Sequence, residues 1–404
     1  MTPDARLLAA SVLRQVENES PTTSFLCYGT ADNVLLGLGR KRSLEITATS
    51  SLDEIWAAID DFVTVNSGET IIGFIGFDPS NELHREVENY RQKVDLFVPE
   101  TLIEFSRTGY TVRTGEWDEK ALLEPAVQPR SAALNPCQFD RENYRADYSH
   151  AVSRVLDRLR RGIVERVTLA RRIDVDKILD LLAIFQSEGS QHECARNFYF
   201  ASELIRFAGQ SPELLAEGSV RCFHTHKLSG TYRRSAELPI GELARRFQAD
   251  ERIRAEHFSS ITAIENSLAE LGALDSEKFQ VMELPSLLHG WSRFTTRPRQ
   301  ALSVAKCLRA VFPFGVQPMQ QGLELLRENE NFLRGPYYGL VGYIRSDGEF
   351  SFTQVLRTAF ADAYTNYLVV GAAITNRSSP ELEVAETCAK LSGVRLFENP
   401  HPGN

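Results

Sequence analysis

Strand-like runs that follow one another with no helix between them set the tightest limit on what this chain can fold into. Residues 335–345, 350–360 and 366–375 form one such series. Asn197–Glu203, Ile205–Gly209 and Val220–His226 form another, as successive strands of one sheet. Strands joined by short turns pair antiparallel, because a parallel pair needs a crossover of a dozen or more residues. Amphipathic helical stretches interrupt these series in irregular order, at 1–20, Leu52–Val65, Tyr144–Arg161, Ile178–Gln186, Leu238–Leu271, 299–310, 319–330 and Ser379–Leu391. No regular βαβα beat emerges, so the pattern predicts an antiparallel-rich α+β fold and not a doubly wound sheet.

Short alternating runs between residues 22 and 48 predict strands and hairpins, and 96–107 and 109–115 return to strand character. Ile71–Asp78 reads IIGFIGFD, a buried strand whose glycines admit a second backbone at close range. Ser80–Arg91 is polar and loop-like. Residues 116–142, with Pro125, Pro129 and Pro136, are the best linker candidate between an N-terminal portion and the rest.

Charge excludes several function classes. Lys and Arg total 45 against 54 Asp and Glu, a net −9, which leaves no basic footprint for nucleic acid or an anionic membrane surface. No apolar run reaches the length that spans a bilayer. The first twenty residues carry Asp4, Arg6 and Arg14 in an amphipathic pattern without a signal-peptide core, so a cytoplasmic protein is expected. The six cysteines show no paired spacing, which suits reduced thiols. His224 and His226 share a strand face with no third metal ligand nearby. The glycine patterns of nucleotide-binding loops are absent.

The closing stretch SPELEVAETCAKL places Glu383, Glu386 and Lys390 on one face of a helix by their spacings of three and four. One reading is a divalent cation held through oxygen, with an anionic ligand beyond it. The other is a solvated face with a Glu386–Lys390 ion pair worth a few tenths of a kcal/mol.

Five further segments, in order, decide between these. They are VERVTLARRIDV (164–175), GQSPELL (209–215), KLSGTYRR (227–234), ERIRAEH (251–257) and the block from Arg309 through RGPYYGLVGYIRSDGEFSFTQVLRTAF and VVGAAIT to the final ExxExxxK. Together they resemble the chorismate-utilising enzymes: anthranilate, aminodeoxychorismate, isochorismate and salicylate synthases. The likeness to isochorismate synthases extends to IGFIGFDPS with LFVPETLIEFSR and to AETCAKLSGVRLF.

The resemblance implies a large antiparallel β-sandwich flanked by helices, as in anthranilate synthase component I. It also implies a single domain over residues 1–404, with a divergent portion at 1–125 and the family-like core at 140–395. The expected substrate is chorismate. A nucleophile adds at C2 while the C4 hydroxyl leaves, and hydroxide leaves poorly unless an acid protonates it. The resemblance assigns that acid to Glu213, although Ser-Pro-Glu also suits a helix start. It assigns Mg²⁺ to Glu256 and Glu386, with Glu383 behind them or reaching the ion through water. Arg357 is assigned to the enolpyruvyl carboxylate, which a guanidinium fork fits. Gly230, Thr231, Tyr337, Gly371 and Lys390 match further substrate positions. His289 matches a histidine of the pocket, and a satisfied core histidine is the competing reading.

The chain also departs from the pattern. Water-adding relatives carry lysine as base where this chain has Arg166, and amine-transferring ones carry glutamine. Arginine, with a pKa above ~12, is a very poor proton acceptor. Glu165 would reach the site only through a bulge. Ile253, the segment Gly315–Met319 and Ala373 depart as well. Three functions therefore stand. The first is isochorismate synthase, or salicylate synthase if pyruvate is then eliminated, with Arg166 orienting the water. The second is another step on chorismate or isochorismate, including amination with a glutaminase partner. The third is a silent chorismate-binding homologue. A monomer is expected, because every amphipathic segment is assigned to a core.

Overall fold

The computed structural model describes residues 4–46, 51–77, 93–117, 131–188, 195–234, 238–283 and 287–399. Two large sheets dominate it. The ten-stranded sheet runs in the order Val316–Gln317, Arg166–Val175, Asn366–Ile374, Thr358–Asp362, Ile205–Ser211, Arg196–Ala201, Phe25–Gly29, Asn33–Leu38, Thr101–Ser106 and Gly109–Thr114. The nine-stranded sheet runs Gly272–Glu283, Leu287–Pro298, Cys222–Arg233, Leu214–Ser219, Phe350–Gln354, Leu340–Ile344, Ile71–Ile75, Val94–Val98 and Arg42–Ile46. Every strand pairing in them, among the described residues, is antiparallel. The expected antiparallel α+β sandwich is the fold observed.

The sheets meet face to face over an aromatic core. Phe74 of one sheet packs edge-on against Phe200 of the other at 5.0 Å, and Phe200 stacks on Phe207 at 5.1 Å. Helices Ala5–Glu19, Leu181–Gln186 and Pro380–Ser392 cover the outer face of the ten-stranded sheet. Leu52–Val65, Glu251–Leu271 and Val304–Val311 cover the other. A strand with cover on both sides is buried throughout, which is why IIGFI lacks alternation and all five residues are inaccessible. Gly73 of that strand has φ 140°, and a Cβ there would lie 1.9 Å from the Asp95 carbonyl oxygen, so only glycine fits. No helix of the described residues is long and apolar enough to cross a membrane.

Several boundaries differ from expectation, for one recurring reason: the chain switches sheets inside runs that look continuous. Residues 96–107 break at Pro99, with Val94–Val98 in one sheet and Thr101–Ser106 in the other. Residues 350–360 break likewise into Phe350–Gln354 and Thr358–Asp362. Val220–His226 is not the third strand beside Arg196–Ala201 and Ile205–Ser211; it begins Cys222–Arg233 in the opposite sheet. Leu238–Leu271 is two helices, because the Asp250 side chain accepts from Ile253 N at 3.1 Å and starts the second. Gly272–Glu283 is an edge strand, largely exposed and polar, which hides the strand period. Residues 78–80 of the IGFIGFDPS match, the loop expected at Ser80–Arg91 and linker residues Pro125 and Pro129 lie outside the described residues.

A candidate active site where the chain crosses between the sheets

Two of these crossings lie side by side. Pro212 and Glu213 join the ten-stranded to the nine-stranded sheet, and Val355–Arg357 return. Gln354 N donates to the Glu213 carbonyl at 2.9 Å, and Thr353 Oγ1 does so at 2.7 Å. Tyr338 joins the same knot, its N–H donating to the Val355 carbonyl at 2.9 Å. At a crossing the strict in–out alternation of a strand lapses, and polar side chains here turn into a cavity between the sheet ends. The helix-start alternative for Ser-Pro-Glu is therefore excluded: Glu213 leads into a strand.

The cavity is lined by Arg166, Glu213, Gly230, Glu256, His289, Tyr337, Arg357, Gly371, Glu386 and Lys390 among others. All of these carry assignments from the sequence. The remaining two are Glu383 and Thr231. Glu383 stands one helical turn from Glu386, buried, and its Oε2 has no hydrogen-bond partner among the described residues. The Thr231 side chain lies outside the described residues, while its backbone pairs with His289 in the strand register.

One end of the cavity is acidic. Glu256 Oε1 accepts from Gly230 N at 3.1 Å, and Glu386 accepts from Lys390 Nζ at 2.7 Å. Burial, reinforced by Glu386, raises the Glu256 carboxyl above its ordinary value. Burial and Glu386 likewise lift Glu383 to about 7. Burial acts against the Lys390 ammonium, but Glu386, Glu256 and Glu383 outweigh it and hold the group charged. Lys390 Nζ also donates to the Gly371 carbonyl at 2.9 Å. Buried carboxylates that repel one another, one with an orphaned oxygen, suit a divalent cation. No group of three His, Cys, Asp or Glu side chains among the described residues forms a complete cage. Mg²⁺ needs none, since it takes one or two protein carboxylates and fills its shell with water and ligand oxygens.

A second cluster of the cavity wall centres on Arg357 and His289. Arg357 has φ 51°, a strained conformation for a non-glycine residue, and its Nη2 donates to His289 Nε2 at 3.1 Å. His289 bonds the Gly230 backbone as well, and burial together with Arg357 pushes its pKa well down. It is a neutral ring that holds the guanidinium in place, so the pocket reading and the satisfied-histidine reading describe the same residue. Burial also lowers Arg357 to about 10. Gly371 is tight: a Cβ there would lie 2.8 Å from the Leu169 carbonyl oxygen and 3.1 Å from Tyr337 Oη.

Three further lining residues were not singled out from the sequence: Lys227, Thr168 and Tyr338. Lys227 Nζ donates to Glu213 Oε1 at 2.5 Å, with side chains only 8% and 5% exposed. Strand parity puts Thr168 on the Arg166 face, a signal the sequence does carry. The partner of Lys227 lies across a sheet junction and leaves no local trace. Glu165 is exposed and bonds Gln317 through its backbone, so it stays outside the cavity. Ile253 is buried beside Phe247 and Phe279 and would meet any Cβ at Gly230, at 2.7 Å.

The component 1 of anthranilate synthase from Saccharolobus solfataricus is 27% identical over 265 residues, covering 64% of this chain and 63% of that protein. The chain thus spans less than two thirds of that relative's length. The menaquinone-specific isochorismate synthase of Escherichia coli superposes with a TM-score of 0.74 at 21% identity, over 96% of this chain and 90% of that one. Anthranilate synthase component I of Streptococcus pneumoniae does so with 0.69 at 16% identity, over 89% and 92%. At these identities the structural likeness concerns the fold. A family model described as chorismate binding enzyme matches residues 18–395, and the chain belongs to that family.

Proposed function

We propose that this chain is a magnesium-dependent enzyme that adds water at C2 of chorismate with loss of the C4 hydroxyl, the isochorismate synthase reaction. The observation that supports it is the convergence of Glu213, Glu256, Glu386 and Arg357 on one cavity. Chorismate carries two carboxylates, and the cavity offers a guanidinium for one and a cation-seeking cluster of carboxylates for the other. Arg357, held by His289, receives the enolpyruvyl carboxylate through its free N–H groups. Glu256 and Glu386, with Glu383 behind them, would hold Mg²⁺, which would supply charge neutralisation for the ring carboxylate. Lys390 orients the Glu386 carboxylate. Tyr337 and the bare Gly371 backbone shape the floor. Glu213 protonates the departing C4 hydroxyl, a role typically worth about 10²–10⁴-fold in rate. Its contact with Lys227 makes the two a proton-carrying unit: the ammonium reloads the carboxylate that has given its proton away.

The amination reading, in which this chain would work with a glutaminase partner, has one specific support, the likeness to anthranilate synthase component 1. Incubation of purified protein with chorismate and Mg²⁺, followed by chromatography with and without ammonium, separates the readings. Isochorismate is the expected product. Salicylate would add pyruvate elimination, an aminated ring would establish amination, and unchanged chorismate despite saturable binding would make the protein a silent homologue.

A further inference from the structure

We infer that Tyr338, not the residue at the usual base position, takes the proton from the incoming water; this rests on the reaction proposed above. Arg166 holds its proton too firmly to act as a base. Lys227 is engaged by Glu213 at 2.5 Å, and Glu165 lies outside the cavity. Tyr338 is buried in the cavity wall, and its Oη donates to Thr168 Oγ1 at 3.3 Å, which ties the phenol to the strand that carries Arg166. Its φ of 70° is an unfavourable conformation for an aromatic residue, one that cores do not impose without need. Tyr338 and Arg357 are the two strained non-glycine residues of the cavity wall, and both sit at the sheet crossings.

The charges facing the phenol favour its ionised form. Lys227 and Arg166 act on it from two strands of opposite sheets, and the Arg334 guanidinium lies 5.5 Å from the ring centroid, itself paired with Glu330. Glu213 opposes them, and Tyr337 is the adjacent ring. Burial raises the Tyr338 phenol, yet Lys227 and Arg166 outweigh burial and leave it below its ordinary value. Burial prevails at Tyr337, which is pushed up. In the step itself, the Tyr338 phenolate takes a proton from water as the water oxygen bonds to C2. The two ring double bonds each shift by one position, the C4–O bond breaks, and the departing hydroxyl takes the Glu213 proton. Lys227 reloads Glu213, and the proton on Tyr338 returns to Lys227, so substrate and product are isomers with no net proton change.

Tyr338→Phe tests this in the chorismate and Mg²⁺ assay. The expected result is a kcat lowered by about 10²–10⁴-fold with the KM for chorismate within about threefold of wild type. The rise of kcat/KM with pH that reports the phenol should disappear with it. Arg166→Lys in the Tyr338→Phe background should regain at least about tenfold, because an amine then stands on the same wall. Should Tyr338→Phe melt far below wild type, Thr168→Val replaces it: losing the hydrogen bond should move the same pH limb, and an unmoved limb overturns the inference. A Tyr338→Phe enzyme with kcat within about threefold of wild type overturns it directly. A wild-type protein that makes no isochorismate overturns the proposed reaction instead, which keeps the two failures distinct.

Discussion

Replacing Lys227 by methionine keeps the length of the side chain and removes the ammonium that Glu213 contacts at 2.5 Å in a site where both side chains are over nine-tenths buried. Removing one partner of a buried pair strands the other charge, at a cost of about 3–5 kcal/mol. The entropy of unfolding is about 2.1 cal/mol/K per residue. Over the 404 residues that is about 0.85 kcal/mol/K, so the loss corresponds to a Tm lowered by about 4–6 °C. Adding Glu213→Leu removes the stranded charge and should restore most of the lost stability, since buried pairs are commonly replaced by apolar residues at little cost. Thermal melts of wild type, the two single variants and the double variant make the measurement. A Lys227→Met protein that melts with wild type, or a double variant no better than the single one, refutes the buried pair.

The remaining expectations concern other groups. Glu213→Gln should lower kcat by about 10²–10⁴-fold while leaving chorismate binding by calorimetry nearly intact, and full turnover would remove its role as acid. Mg²⁺ at about 100 times its dissociation constant should stabilise the protein by about 2.7 kcal/mol, a Tm rise of about 3 °C. Glu256→Gln should abolish that rise, and an unaltered Mg²⁺ response would move the cation elsewhere. Burial works to raise the Glu217 carboxyl, but His224, Arg196 and Ser351 outweigh it and hold the group at about 2. A depressed carboxyl pKa contributes stability that is present above the unfolded value and lost as pH falls through the folded one. The gap between wild type and Glu217→Gln should thus be full near pH 5 and close toward pH 2, and a gap independent of pH would contradict the assigned contacts. His289→Ala should raise the KM for chorismate more than it lowers kcat, because the ring positions Arg357; the reverse split would give it a part in the chemistry.

The sequence by itself determined the fold class, the family and the residues of the acidic end. Antiparallel strands follow from runs joined without helices, and Glu383, Glu386 and Lys390 share a helix face because three- and four-residue spacings are local geometry. Tertiary structure alone decided where the chain changes sheets. The run at 350–360 has one continuous hydrophobic pattern, yet Arg357 sits at a break in it with φ 51° because the two halves pair with different partners. The same holds for the pairing of Lys227 with Glu213 and for the turn of Tyr338 toward Thr168. Those contacts join residues 14 and 170 positions apart, and periodicity carries no information about partners at such range. The residues proposed as acid and cation ligands were legible because each follows a local motif, whereas the groups proposed to carry protons to and from them are set by how two sheets close on one another.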